Sequence, residues 1–139
     1  MTQTALIVGA SRGLGLGLVA EHLKRGFTVI ATVRKAADEA ELKALPGAER
    51  LTLHHLDVTS DDDIARLAGA VPADLDIAFI NAGISGPKNV VTASADELNQ
   101  IMQANVFGPV RLAHALLGKV RRDTGILAFM SSVMGSIAE

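Results

Sequence analysis

The feature that most restricts this chain is a short apolar run, Thr4 to Val8, that passes directly into Gly9-Ala10-Ser11-Arg12-Gly13-Leu14-Gly15. Such a run suits a strand buried on both faces, and strands of that kind belong to parallel sheets covered by helices. A helix is predicted to follow from Leu14 to Arg25, with Lys24 and Arg25 complementing its carboxyl end and Gly26 stopping it. Strand, glycine turn and helix in that order point to an α/β architecture.

The same alternation continues. Phe27 to Val33 reads as a second strand, followed by a weaker helix through Leu42 and Leu45 that Pro46 and Gly47 end, and Leu51 to Leu56 as a third strand. Ser60 and Asp63 have the spacing of a helix start, the dipole favours Asp61 and Asp62 there, and Ile64, Leu67, Ala68 and Val71 form one apolar stripe. Leu75 to Ile80 supplies the fourth strand. Ser94 and Glu97 form a capping box that opens a long helix carrying Leu98, Ile101 and Met102, and Gly125 to Ser131 gives the fifth strand. Right-handed crossovers then predict a doubly wound, Rossmann-type parallel sheet of order 3-2-1-4-5, with ligands beyond the carboxyl ends of strands one and four. Residues 1–139 are expected to form one domain, because a single core typically organises about 100 to 200 residues.

Composition removes several function classes. Thirteen Lys plus Arg against fifteen Asp plus Glu, with no basic run, argue against nucleic acid as a partner. No stretch nears the ~18 consecutive apolar residues of a membrane span, and Met1 to Thr4 offers no basic leader, so a cytoplasmic protein is expected. Without cysteine there is no thiol nucleophile or thiolate metal site, and His22, His54, His55 and His114 lack metal-ligand spacing.

The chemistry gathers where the predicted strands end. Gly9, Gly13 and Gly15, with Ser11, Arg12 and Leu14 between them, sit at the turn and the amino end of the first helix. There a Cβ would block the approach of backbone to phosphate, while free helix N–H groups attract negative charge. The competing reading is a turn that only packs helix on sheet. An acid at the end of strand two would bind a ribose 2′-hydroxyl and repel a 2′-phosphate; Ala31-Thr32-Val33-Arg34 has none. Arg34, Lys35 and Arg12 are therefore expected to surround the 2′-phosphate of NADP(H), the alternative being solvated surface cations.

Asp57, beside Val58, ends strand three and is expected either to accept from an adenine amino group or to cap the next helix. Asn81-Ala82-Gly83 follows strand four and either shapes the cofactor cleft or forms a plain turn. Asn105 lies four residues before Pro109, which has no N–H for its carbonyl; the freed group either holds an ordered water or marks a structural kink. Ser131 and Ser132 end strand five, where a hydroxyl suits a substrate carbonyl or an ordinary turn.

Taken in order, Gly9-x3-Gly13-x-Gly15, Asp57-Val58, Asn81-Ala82-Gly83, Asn105 and Ser131-Ser132-Val133-Met134-Gly135 resemble the short-chain dehydrogenase/reductase family. The segment Met130 to Glu139 is similar to its carbonyl-reductase branch, which includes C-factor proteins. The resemblance implies cofactor contacts from the first glycines, an adenine contact from Asp57, and sheet stabilisation beside the cofactor from Asn81 to Gly83. It implies that Ser132 orients the substrate carbonyl and that Asn105 holds a proton-relay water. The family's Tyr-x-x-x-Lys pair is absent: these residues include no tyrosine, and the sequence stops before that pair's expected place. The resemblance thus implies an NADP(H)-dependent oxidoreductase of small carbonyl or alcohol compounds, or a fragment of one. The alternative is a truncated, noncatalytic NADP-binding or interaction module. An uncovered fifth strand would favour self-association, so a homo-oligomer is expected.

Overall fold

In a computed structural model, which describes residues 2–132 and 135–137, the chain forms a parallel sheet of five strands in the order β3-β2-β1-β4-β5. The strands are β1 (Thr4–Val8), β2 (Thr28–Val33), β3 (Leu51–His55), β4 (Ile77–Ile80) and β5 (Ile126–Phe129). The helices are α1 (Gly13–Lys24), α2 (Glu39–Lys43), α3 (Asp61–Ala70), α4 (Ala95–Met102) and α5 (Gly108–Leu116). This is the doubly wound, Rossmann-type arrangement expected from the sequence.

Period-two alternation in the central strands explains why helices cover both faces. Ala5 and Ile7 of β1, with Val29 and Ala31 of β2, join Val19 and Leu23 of α1 and Leu42 of α2 in one core. Leu6 and Val8 face the other way, packing with Ile30, Ile64 and Leu67 of α3 and Leu112 and Leu116 of α5. The edge strands β3 and β5 are correspondingly more exposed.

Helix ends follow their local chemistry. The Phe27 N–H donates to His22 and the Gly26 N–H to Leu23, closing α1 with the paired bonds of a Schellman motif. Ser60 accepts from the Asp63 N–H at the start of α3, and Ser94 and Glu97 form the complete capping box of α4. The weak second helix is a single short turn, α2, preceded by a 3-10 turn at Ala36–Asp38.

Two expectations need correction. The fourth strand begins at Ile77 rather than Leu75, because the positive φ of Asp74 turns the chain there and Leu75 makes only an isolated bridge to Val120. The long helix opened by Ser94 is interrupted: Gln103–Phe107 forms a π-turn in which the Gly108 N–H donates to the Gln103 carbonyl five residues back. Pro109, having no N–H for the Asn105 carbonyl, is placed where a regular α ladder fails, and widening by one residue lets the helix continue. The two parts differ in packing: α4 buries no residue, whereas α5 buries Gly108, Pro109, Leu112, Ala113 and Leu116.

Candidate active site

Hydrogen bonding continues past the carboxyl ends of the strands and aligns the loops that follow. The Ala10 N–H donates to Thr32, Leu56 to Val33, Asn81 to Val8 and Met130 to Ile80. Gly9, Arg34, Asp57, Asn81 and Met130 thereby reach one edge of the sheet. They border a cleft of about 690 Å³, within the range of about 300–1,000 Å³ common for small-molecule sites. The cleft opens at the switch point, where the chain, after winding from β1 out to β3, crosses to the other side of β1.

The glycine turn is fixed from two sides. Gly9 has φ +79, and a Cβ on it would lie 2.5 Å from the Asn81 carbonyl oxygen. Its N–H donates to Thr32 Oγ1 at 3.1 Å, and its carbonyl accepts from Asn81 Nδ2 at 3.1 Å. Gly15 sits beneath the turn: a Cβ there would stand 2.0 Å from the Gly9 oxygen. The α1 amino terminus has neither a side-chain cap nor an acidic residue in its first turn, unlike α3 and α4. Its first N–H groups thus face no carboxylate of their own turn, which leaves the dipole's positive end available to an anion.

Arg12 and Arg34 border the same cleft and are exposed. Among the described residues neither they nor Lys35 forms an ion pair, whereas Arg25, Arg50, Arg66 and Arg121 each bond a carboxylate. Lys35 is exposed and outside the cleft lining.

Beyond β3, Asp57 Oδ1 accepts from both the N–H and the hydroxyl of Thr59, at 2.9 and 2.7 Å. Ser60, not Asp57, caps α3. The Asp57 N–H in turn donates to Asp63 Oδ2 at 2.9 Å. That bond, with a smaller contribution from Arg66 and against the effect of burial, holds the Asp63 carboxyl below the ordinary aspartate range.

Beyond β4, the loop is tied to the π-turn. Asn105 Oδ1 accepts from the Ile84 N–H at 2.7 Å and Asn105 Nδ2 donates to the Ile84 carbonyl at 2.9 Å. The Asn105 side chain is therefore committed to the backbone of Ile84.

Of the residues singled out from sequence, the cleft is lined by Gly9, Ser11, Arg12, Gly13, Leu14, Arg34, Asp57, Val58, Asn81, Ala82 and Gly83. Gly15 lies under the turn instead. Asn105, Ser131 and Ser132 are exposed and do not line the cleft, though their neighbours Ala104 and Met130 do. Val133 and Met134 lie outside the described residues. Sequence reasoning missed Ile84, Asn99, Gln100, Gln103 and Thr32, all at the cleft. For the three amides the available signal was spacing: positions 99, 100 and 103 share one helical face. For Thr32 it was a threonine between Ala31 and Val33, within the apolar stretch that runs from Val29 to the end of the strand.

Among the described residues no cluster of three metal-ligating side chains occurs, and no helix is long and apolar enough to cross a membrane.

Strand order, switch-point cleft and glycine turn define a Rossmann-type domain built around one edge of its sheet. The chain belongs to the short-chain dehydrogenase family, whose model matches residues 3–139. It is 39% identical over 150 residues to the short chain dehydrogenase gsfK of Penicillium aethiopicum, an alignment covering 99% of this chain and 60% of that protein. A short-chain dehydrogenase/reductase from Burkholderia multivorans, solved with bound NADP, superposes with a TM-score of 0.89 at 38% identity, over 100% of this chain and 62% of that one. A carbonyl reductase from Pseudomonas aeruginosa PAO1 in complex with NADP gives 0.88 at 37% identity, covering 99% and 62% respectively. The chain thus spans about three-fifths of these relatives' length.

Proposed function

We propose that the 139 residues act as a single cofactor-binding domain of a cytoplasmic, NADP(H)-dependent oxidoreductase of the carbonyl-reductase or alcohol-dehydrogenase type. The observation that carries this reading is the pairing of an uncapped helix terminus at the glycine turn with two cations on the same cleft, Arg12 and Arg34, that form no ion pair among the described residues. A dinucleotide needs backbone donors for its pyrophosphate, and a 2′-phosphate needs guanidinium groups not engaged elsewhere. The donor set fits that group. Relatives crystallised with NADP support the same reading.

In this scheme Gly9, Ser11, Gly13 and Leu14 present backbone to the pyrophosphate, with Gly15 allowing α1 to approach the turn. Arg12 and Arg34 hold the 2′-phosphate. Asp57 and Val58 border the adenine, with the Thr59 bonds fixing the carboxylate's position. Asn81, Ala82 and Gly83 shape the cleft floor. Bound there, the nicotinamide supplies or accepts the hydride exchanged with a carbonyl or alcohol carbon. Ser132 orients that carbonyl, and the Asn105 carbonyl holds a water on the proton path. A small carbonyl or alcohol compound is the substrate class. Exposed Leu98, Met102, Phe107 and Val110 on the α4–α5 face favour a homo-oligomer.

The composition favours a second reading for these residues taken alone. They include no tyrosine, and a positioned general acid typically contributes about 10²–10⁴-fold, so the domain on its own would bind NADP(H) without turnover.

Calorimetric titration with NADPH and NADH tests the proposal. NADPH should bind more tightly than NADH, and Arg34→Glu should weaken NADPH by about 10- to 100-fold, as expected for losing a charge-assisted contact of ~1.5–3 kcal/mol. Equal affinity for the two dinucleotides in the unaltered chain would overturn it.

A further inference from the structure

We infer that Gly108 is a positioning residue for the adenosine end of the cleft, setting how closely the Val58 wall stands to the π-turn. The inference rests on the proposed reading, in which Asp57 and Val58 border the adenine.

Gly108 is buried and does not line the cleft. Its backbone is helical, with φ -59 and ψ -56, so no unusual conformation demands glycine there. Inside a helix glycine is disfavoured relative to alanine. What requires it is space. A Cβ at this position would stand 2.5 Å from the Val58 oxygen, 2.7 Å from the Gln103 oxygen and 3.0 Å from the Val58 carbonyl carbon. All three are backbone atoms, so no side chain can swing aside. By contrast, a Cβ on helical Gly17 or Gly69 meets nothing within 4 Å.

The two oxygens belong to residues that do line the cleft, Val58 and Gln103. Ala104, one turn before Gly108, is 7% exposed and lines it as well. Gly108 is thus the point where the loop after β3 rests on the widened helix. The Gly108 N–H also closes the π-turn on Gln103. One residue without a side chain sets both the width of this end and its registration against the Asn105–Ile84 tie. Adding a methyl group must push the Val58 wall and the helix apart by about half an ångström, and binding sites tolerate only about that much displacement.

Binding of two half-cofactor probes to the Gly108→Ala chain tests this. Adenosine 2′,5′-bisphosphate reports on the adenosine end and reduced nicotinamide mononucleotide on the other. The alanine variant should bind the adenosine probe about tenfold more weakly, with the nicotinamide probe within about twofold, since misplacements near 1 Å can cost up to ~10²-fold. Ala113→Gly, a destabilising change farther along α5, should lower the melting temperature while leaving both affinities unaltered. If Gly108→Ala alone does not fold, adding Gly69→Ala supplies a more stable background. An unchanged adenosine affinity, or equal losses for both probes, overturns the inference while the NADP(H) reading stands. Failure of the unaltered chain to bind the adenosine probe removes both.

Discussion

Replacing Thr32 with valine removes one oxygen and almost no volume, so its effect isolates a single hydrogen bond. Thr32 is 1% exposed, and its Oγ1 accepts the Gly9 N–H at 3.1 Å. In the valine variant that N–H has no acceptor from β2. Leaving a buried donor unmade costs about 1–3 kcal/mol; because Gly9 is only half-buried, the lower part of that range, about 1–2 kcal/mol, applies. For a chain of this size such a loss lowers the melting temperature by about 2–8 °C. The same loss acts on the turn proposed to meet the pyrophosphate, so NADPH affinity should fall by about tenfold, equivalent to 1.4 kcal/mol. Thermal melts and NADPH titration measure both quantities. Thr52→Val provides the reference: Thr52 is exposed on β3, and surface changes usually stay within about 0.5 kcal/mol. If Thr32→Val melts and binds like Thr52→Val, the bond to Gly9 contributes nothing and the reasoning fails.

Gly15→Ala should be far more severe, since its Cβ would lie 2.0 Å from the Gly9 oxygen; we expect at least ~3 kcal/mol of destabilisation and no NADPH binding, and a normal melting curve would show slack between α1 and the turn. Asn105→Ala removes both bonds to Ile84; amide exchange at Ile84 should accelerate by about tenfold or more, and unchanged protection would mean that the loop is held elsewhere. Asp76 is held below the ordinary aspartate range first by the Thr4 N–H and then by Arg121. A depressed folded value stabilises at pH above the unfolded aspartate value and loses that stabilisation as pH falls through the lower folded one. The urea midpoint should therefore decline on acidification below the ordinary aspartate range, and less steeply in Asp76→Asn; parallel profiles would refute this.

The parts of the fold that repeat a local pattern were legible in the sequence. Thr4 to Val8 could be read as a central strand because its four residues from Ala5 to Val8 are all apolar and need cover on both faces, and Ser94 and Glu97 announced their helix because both halves of the cap lie within one turn. The π-turn was only half legible: Pro109 marked a fault in the ladder, but whether a fault becomes a kink or a widening depends on what the helix packs against. In this chain that is Val58, fifty positions before Gly108. The cleft's glycine, asparagine and aspartate residues stood out because their types are restricted at strand ends. Thr32, Asn99 and Gln100 did not, since a threonine in a strand and amides on a helix are ordinary until their neighbours are known. The side chain of Asn105 illustrates the same limit, because its partner is the backbone of Ile84, and backbone carries no sequence signal.

The ties from Thr4 to Asp76 and from Gly9 to Asn81 each span 72 positions. At a synthesis rate of about 5–20 residues per second, roughly 4–14 s separate the emergence of β1 from the ribosome and that of the strand that completes its pairing. During that interval one edge of a nearly all-apolar strand is open to strangers, and the glycine turn lacks the amide that gives it shape. Cofactor therefore cannot template the early stages of folding; it can only reward a chain already closed around residue 81. The nascent half-sheet is accordingly the species most exposed to aggregation, and a chaperone that shields β1 would act before any nucleotide could.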